Sequence, residues 1–208
     1  MGLARRLSTL LAGLVLGTCL AAPVGSPALG VPSQHSTPSC STPDRPFTPS
    51  SVTIPGVVGP TRVLALGRDA NGVPKTPPLT DRGKWEFGWD KASHIRPGSP
   101  HGVVRLTAHT YPRDGSYGLA LGNRLLTKLH IGDLLVARGG QGQQLCYHVT
   151  KRVQIRADHT FPAYYDSSGR PRLAILVCSG VRRGPGDWSH RTVWFAEPRR
   201  SVQESRGH

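Results

Sequence analysis

Cys178 closes an apolar run, Leu173-Ala-Ile-Leu-Val177, and Arg191 opens another, Thr192-Val-Trp-Phe-Ala196, with a glycine-containing stretch between them. Two β-like runs joined by one short loop fold most simply as an antiparallel hairpin. The thiol and the guanidinium then become cross-strand neighbours about 5 Å apart. A thiolate is the reactive form of cysteine, and a fixed cation beside it favours both that thiolate and negative charge developing on a substrate oxygen. Such a pair still needs a general acid or base. His109, in Leu106-Thr-Ala-His109-Thr, stands at the end of the strand-like run Gly102–Thr107 and is the candidate. Adjacent His190 is the nearest rival, but neighbouring strand residues face opposite sides, so it would point away from Arg191. Each residue also has a plainer role: a small buried hydrophobe, a hydrogen-bonded histidine between strands, a solvated strand start. Their conjunction is what points to nucleophilic catalysis.

The elements that must position these residues are short and β-rich. Val52–Leu66 is apolar and β-branched, broken by Gly and Pro, and Asp69-Ala-Asn71-Gly72 is a turn signal leading to another short strand. Asp133–Arg138, the turn Gly139–Gly142 and Gln144–Ile155 form a second hairpin. Ser167-Ser-Gly169 is a further turn feeding the Leu173 strand. Asn123–His130 carries Leu125, Leu126 and Leu129 at helical spacing, and Gly132 is its expected stop. Several short strands with one or two small helices predict a mainly β fold that closes, or nearly closes, into a barrel.

The 208 residues, 37% hydrophobic, suit one domain of about 150 residues with appendages. Arg5-Arg6 followed by the apolar stretch Leu7–Ala22 reads as an export leader over residues 1–28. Cleavage is expected after Ala21, Ala22 or Ala28, with an uncleaved signal anchor as the alternative. Leu16-Gly-Thr-Cys19 resembles a lipoprotein signal with an unusual Thr. A Pro/Ser-rich extracytoplasmic tether is expected over 29–51, a catalytic domain over 52–198 and a polar tail over 199–208. The net charge of +14 becomes +12 without the leader, 24 basic against 12 acidic residues. Anionic cell-wall polymers or membrane surfaces fit that charge better than nucleic acid, because the basic residues are dispersed and lack interleaved aromatics. The nine histidines and four cysteines show no C-x-x-C or H-x-x-x-H spacing, so no metal is expected, and no cofactor-binding motif stands out.

With Cys19 in the leader, Cys40, Cys146 and Cys178 remain, an odd number for an oxidising compartment. Pairing of Cys40 with Cys146 leaves Cys178 free. Pairing of Cys146 with Cys178 would end the enzyme reading, and three free thiols are the third possibility.

The order His, Cys at a strand end, Arg at the next strand start resembles the sortase family of bacterial cysteine transpeptidases. The likeness covers most of the expected domain through Leu106–His109, Ile131-Gly132-Asp133, Phe161-Pro162, Leu176-Val177-Cys178 and Arg191–Ala196. The run Thr107-Ala-His-Thr-Tyr-Pro112 is most similar to the actinobacterial classes E and F. The resemblance implies an eight-stranded sortase barrel and cleavage of a Leu-Pro-x-Thr-Gly-like sorting signal on secreted proteins between Thr and Gly. It further implies Cys178 as nucleophile, His109 as proton donor and acceptor, and Arg191 as oxyanion or carbonyl ligand. An amine acceptor on a peptidoglycan precursor or a protein lysine would resolve the thioester. Sortases usually carry Thr before the nucleophile; Val177 departs from that and removes a hydroxyl expected near the substrate. Two alternatives compete. An L,D-transpeptidase would carry a Ser-His-Gly-Cys signature, absent around Val177-Cys178-Ser-Gly180; a noncatalytic basic wall-binding protein would have an inert or disulfide-bonded Cys178.

Overall fold

The computed structural model describes Cys40 and residues 43–199. The expected leader, most of the tether and nearly all of the tail lie outside the described residues. Eight strands form a closed barrel: β1 (Pro49–Ile54), β2 (Val58–Leu66), β3 (Phe87–Asp90), β4 (Val103–Ala108), β5 (Leu134–Gly139), β6 (Gln144–Arg156), β7 (Arg172–Gly184) and β8 (Asp187–Pro198). Their order around the barrel is β1-β2-β3-β4-β7-β8-β6-β5. Two short helices, α1 (Leu121–Lys128) and α2 (Pro162–Tyr165), complete the mainly β fold. Among the described residues no helix is long and apolar enough to cross a membrane.

Most neighbours pair antiparallel, but β2 with β3 and β4 with β7 run parallel. Parallel pairs need crossovers. The β2–β3 crossover contains the segment after Asp69–Gly72. That segment is not the expected strand: apart from one bridge between Arg68 and Pro74 it is Pro-rich chain, because Pro74, Pro77 and Pro78 have no N–H to give a ladder.

Period-two alternation divides the strands between two environments. Val104, Leu106, Ala108, Leu173, Ile175 and Val177 fill the barrel interior with Leu121, Leu125, Leu129 and Trp194. Val103, Ala174, Val193 and Phe195 face the other way, where Tyr164 of α2 covers them.

Helix α1 begins two residues before the expected Asn123 and ends at Lys128 rather than His130. Its start is set by Gly122, whose N–H donates to the His109 carbonyl at 3.0 Å. Its end is set at Leu129, which turns extended and whose carbonyl accepts the Trp194 indole N–H at 3.2 Å. Neither partner is local in sequence.

Of the pairings left open by cysteine counting, the structure contains the Cys40–Cys146 disulfide and leaves Cys178 free.

Candidate functional site

Cys178 lies on β7 directly opposite Arg191 on β8. On its other side, the β4–β7 ladder ends at Ala108 opposite Val177, so the next pair along the two parallel strands is His109 and Cys178. The alternation that turns Val177 and Ala108 inward turns Cys178, His109 and Arg191 to the outer face. The structure thus brings the three residues to one face at one end of the barrel. His190 faces away from Arg191; its Nδ1 lies 2.8 Å from the Ser189 hydroxyl.

Backbone and side-chain bonds fix this cluster from several directions. The Thr110 hydroxyl donates to the Cys178 carbonyl at 2.7 Å, tying the residue after the histidine to the thiol's own peptide unit. The His109 carbonyl is held by Gly122, where a Cβ would collide with that oxygen. His109 Nε2 lies 2.6 Å from the Pro77 carbonyl. A carbonyl only accepts, so Nε2 carries the proton in the neutral ring as well as in the cation. Nδ1 is left as the nitrogen that gains and loses a proton.

Two further outward residues of β4 grip the crossovers that frame the site. Thr107 donates to the Lys75 carbonyl at 3.0 Å, two residues before Pro77. Gly88 on β3 must be glycine for this approach: a Cβ there would meet the Thr107 hydroxyl and the Lys75 carbonyl. Arg105, only 2% exposed, donates to the carbonyls of Tyr164 and Tyr165 and to Asp90, which also takes a two-toothed bond from Arg68. A buried carboxylate between two guanidiniums is compensated, whereas one left alone would be strongly destabilising. Sequence reading missed this set because Asp90 meets Arg105 across the antiparallel β3–β4 pair and Arg68 across the parallel β2–β3 pair, neither joined by a short turn; Asp90 within the apolar run Phe87–Asp90 is the one local signal.

Arg191 is anchored at one corner. Its Nη1 donates to the carbonyls of Trp188 and His190 at 3.2 and 3.0 Å, while Nε and Nη2 bond nothing among the described residues. Those donors are free to meet an oxyanion.

Burial pushes the Cys178 thiol above its ordinary value, and the Arg191 charge opposes that effect. Burial also pushes the His109 imidazole below its ordinary value, opposed by the bond to Pro77. Both shifts favour the neutral thiol and the neutral imidazole over the charged thiolate–imidazolium pair.

Val177 needs a correction. The sequence suggests that its side chain replaces a hydroxyl lying near the substrate, but it is wholly buried in the barrel interior, on the opposite face of β7 from Cys178. A hydroxyl at this position would face the core.

No protein-family model matches the chain, and no curated protein matches it in sequence. Solved structures do match. The barrel is similar to sortase C1 from Streptococcus suis, 19% identical, with a TM-score of 0.52 covering 76% of each chain. It is equally similar to sortase C-1 from Actinomyces oris, 19% identical, TM-score 0.52, covering 72% of this chain and 71% of that one. Sortase A from Listeria monocytogenes matches at 16% identity and a TM-score of 0.50, over 72% and 86%. The fold is the sortase fold. The sortases it matches here are of classes C and A, and at these identities the likeness concerns architecture. Within that architecture this sortase-like barrel carries its free cysteine midway along β7, a strand that runs on to Gly184 rather than ending at Cys178 as the sequence suggests, and its disulfide between Cys40 and Cys146.

Proposed function

We propose that the protein is an extracytoplasmic cysteine transpeptidase of the sortase type that acts on a Leu-Pro-x-Thr-Gly-like sorting signal of secreted proteins. The observation that carries this reading is the convergence of a free thiol, an imidazole and a half-anchored guanidinium on one outward face, through the β4–β7 and β7–β8 registers. In this reading the Cys178 proton passes to Nδ1 of His109, and the thiolate attacks the threonine carbonyl carbon. Arg191 donates from Nε and Nη2 to the resulting oxyanion. As the C–N bond breaks, Nδ1 returns the proton to the departing glycine amine, leaving a thioester on Cys178. An incoming amine then attacks that carbonyl, gives its proton to Nδ1 and releases the thiolate with a new amide; water in its place gives hydrolysis.

The resemblance supports an acceptor on a peptidoglycan precursor or a protein lysine, and the Thr107–Pro112 run supports kinship with classes E and F. The leader and tether read from the sequence support an exported protein held at the membrane or wall, and the charge of +14 supports an anionic surface nearby. No cofactor enters the chemistry.

The test is to incubate the protein with Leu-Pro-x-Thr-Gly peptides and search by mass spectrometry for an acyl adduct on Cys178 that hydroxylamine removes. Cys178→Ala must abolish it. No adduct across an array of signal variants, or a disulfide at Cys178 in the native protein, sinks the proposal.

A further inference from the structure

The β2–β3 crossover is pinned where it meets the imidazole. Its Lys75 is held on both sides: the N–H donates to the Gly67 carbonyl at 3.1 Å, and the carbonyl accepts the Thr107 hydroxyl at 3.0 Å. Two residues further on, Pro77 sets its carbonyl 2.6 Å from Nε2 of His109. Pro77 also precedes Pro78, so its backbone is confined to extended conformations. The Pro78 carbonyl in turn accepts the Thr80 N–H at 2.8 Å, and Gly83 leaves beside it the room that a Cβ would fill. The carbonyl facing the imidazole thus lies on a stiff span held at Lys75 and at Pro78. Further along, the same crossover reaches the ring's neighbours. Asp81 accepts the Tyr117 hydroxyl at 3.0 Å, Lys84 Nζ lies 3.5 Å over the Tyr117 ring, and Tyr111 stands edge-to-face with both Tyr117 and His109.

Thr107 is the side chain that joins this span to the barrel. It is 3% exposed and stands two residues before His109, so period-two alternation puts both on the outer face. The strand that delivers the imidazole therefore also carries the anchor of the imidazole's partner. We propose that Thr107 is a positioning residue for the reaction: through Lys75 it holds the Pro77 carbonyl on Nε2 of His109, which fixes the ring's rotation and keeps Nδ1 as the nitrogen that exchanges the proton. Its effect on turnover rests on the transpeptidase reading, whereas its effect on the imidazole does not. Without the hydroxyl, the Lys75 carbonyl loses its donor and the span loses its side-chain anchor. The ring can then turn, and a neutral imidazole can carry its proton on either nitrogen. A ring protonated at Nδ1 cannot take the thiol proton there.

The test compares Thr107→Val, which keeps the branched shape, with Thr107→Ser, which keeps the hydroxyl, in the full chain. Thr107→Ala removes the hydroxyl with a smaller side chain, so the assignment stays testable if the valine is not accommodated. Long-range proton–nitrogen magnetic resonance spectra of the His109 ring, recorded above its titration, are expected to show Nε2 protonated and Nδ1 bare in the parent and in Thr107→Ser. In the hydroxyl-free variants the two nitrogen signals should move towards one another as the tautomers mix. The Nε2 proton should then exchange with water about tenfold faster. Cleavage of the sorting peptide should lose about tenfold in kcat with KM nearly unchanged in these variants, and recover in Thr107→Ser. Parental ring spectra in either hydroxyl-free variant, or a kcat loss that Thr107→Ser repeats in full, overturn the assignment while the thioester still forms. If no thioester forms with any sorting peptide, the transpeptidase reading falls, and the ring spectra alone decide whether Thr107 sets the imidazole.

Discussion

Replacing the disulfide by Cys40→Ser together with Cys146→Ala tests whether its role is confined to stability. Alanine is chosen at 146 because that side chain is fully buried, where a hydroxyl without a partner would add its own cost. The bond closes a loop with a sequence separation of 106 residues. Chain entropy for such a loop amounts to about 4.8 kcal/mol at 25 °C. For a domain of this size each kcal/mol shifts Tm by about 2–4 °C, so Tm should fall by about 10–19 °C in calorimetry without reductant. Catalysis should respond differently. Arg191 stands opposite Cys178, whereas Pro198 stands opposite Tyr147, the neighbour of Cys146. Seven residues of β8 separate the two places, about 23 Å of strand. Peptide cleavage at 25 °C, well below the transition, should therefore stay within about twofold of the parent, since no group that positions the thiol is touched. A Tm loss under about 4 °C refutes the entropic argument, and a large loss of cleavage by a still-folded variant refutes the separation of bond and site.

Three other outcomes follow from the same geometry. The pH profile of kcat/KM should be a bell, its acid limb below the ordinary histidine range from His109 and its alkaline limb above the ordinary thiol range from Cys178; an acid limb above the ordinary histidine range contradicts the burial of the imidazole. Stability should follow the same window in thermal melts. The lowered His109 value contributes stability that is lost as pH falls through it, and the raised Cys178 value contributes stability that is lost as pH rises through the thiol range. Thr110→Val keeps the shape but removes the bond to the Cys178 carbonyl, so denaturant unfolding should register a loss of about 1 kcal/mol. Its kcat should drop by about tenfold through misplacement of the thiol, and a parental kcat would exclude Thr110 as a positioning residue. Val177→Thr should destabilise by about 1–3 kcal/mol by putting a hydroxyl in the core, with sorting-peptide cleavage nearly unchanged; a gain in cleavage without loss of stability would show that the position reaches the substrate after all.

What could be read from the chain depended on how far apart the interacting residues lie. The Cys178–Arg191 register was legible because two apolar runs and a short turn set it within 13 residues, and the place of His109 at a strand end followed from the β-branched run before it. The neighbourhood of His109 and Cys178 was not local. It depends on a parallel ladder across nearly 70 residues, for which no turn supplies a signal. The same holds for the Pro77 carbonyl on the histidine, the Arg105–Asp90–Arg68 set and the bounds of α1, each fixed by a partner from another element. Val177 is a different case: the alternation that excluded His190 also assigns Val177 to the interior, and the resemblance to sortases obscured that simple parity.

The disulfide divides the candidate site residues. His109 lies inside the covalent loop from Cys40 to Cys146, whereas Cys178 and Arg191 belong to the last hairpin, which must slot between β4 and β6 to close the barrel. In the export proposed above, a chain emerging N-terminus first would bring Cys40 and Cys146 into an oxidising environment before Cys178. Under that proposal the order of residues along the chain is a safeguard in time: the two thiols that form the disulfide can be joined before Cys178 arrives to compete for either of them.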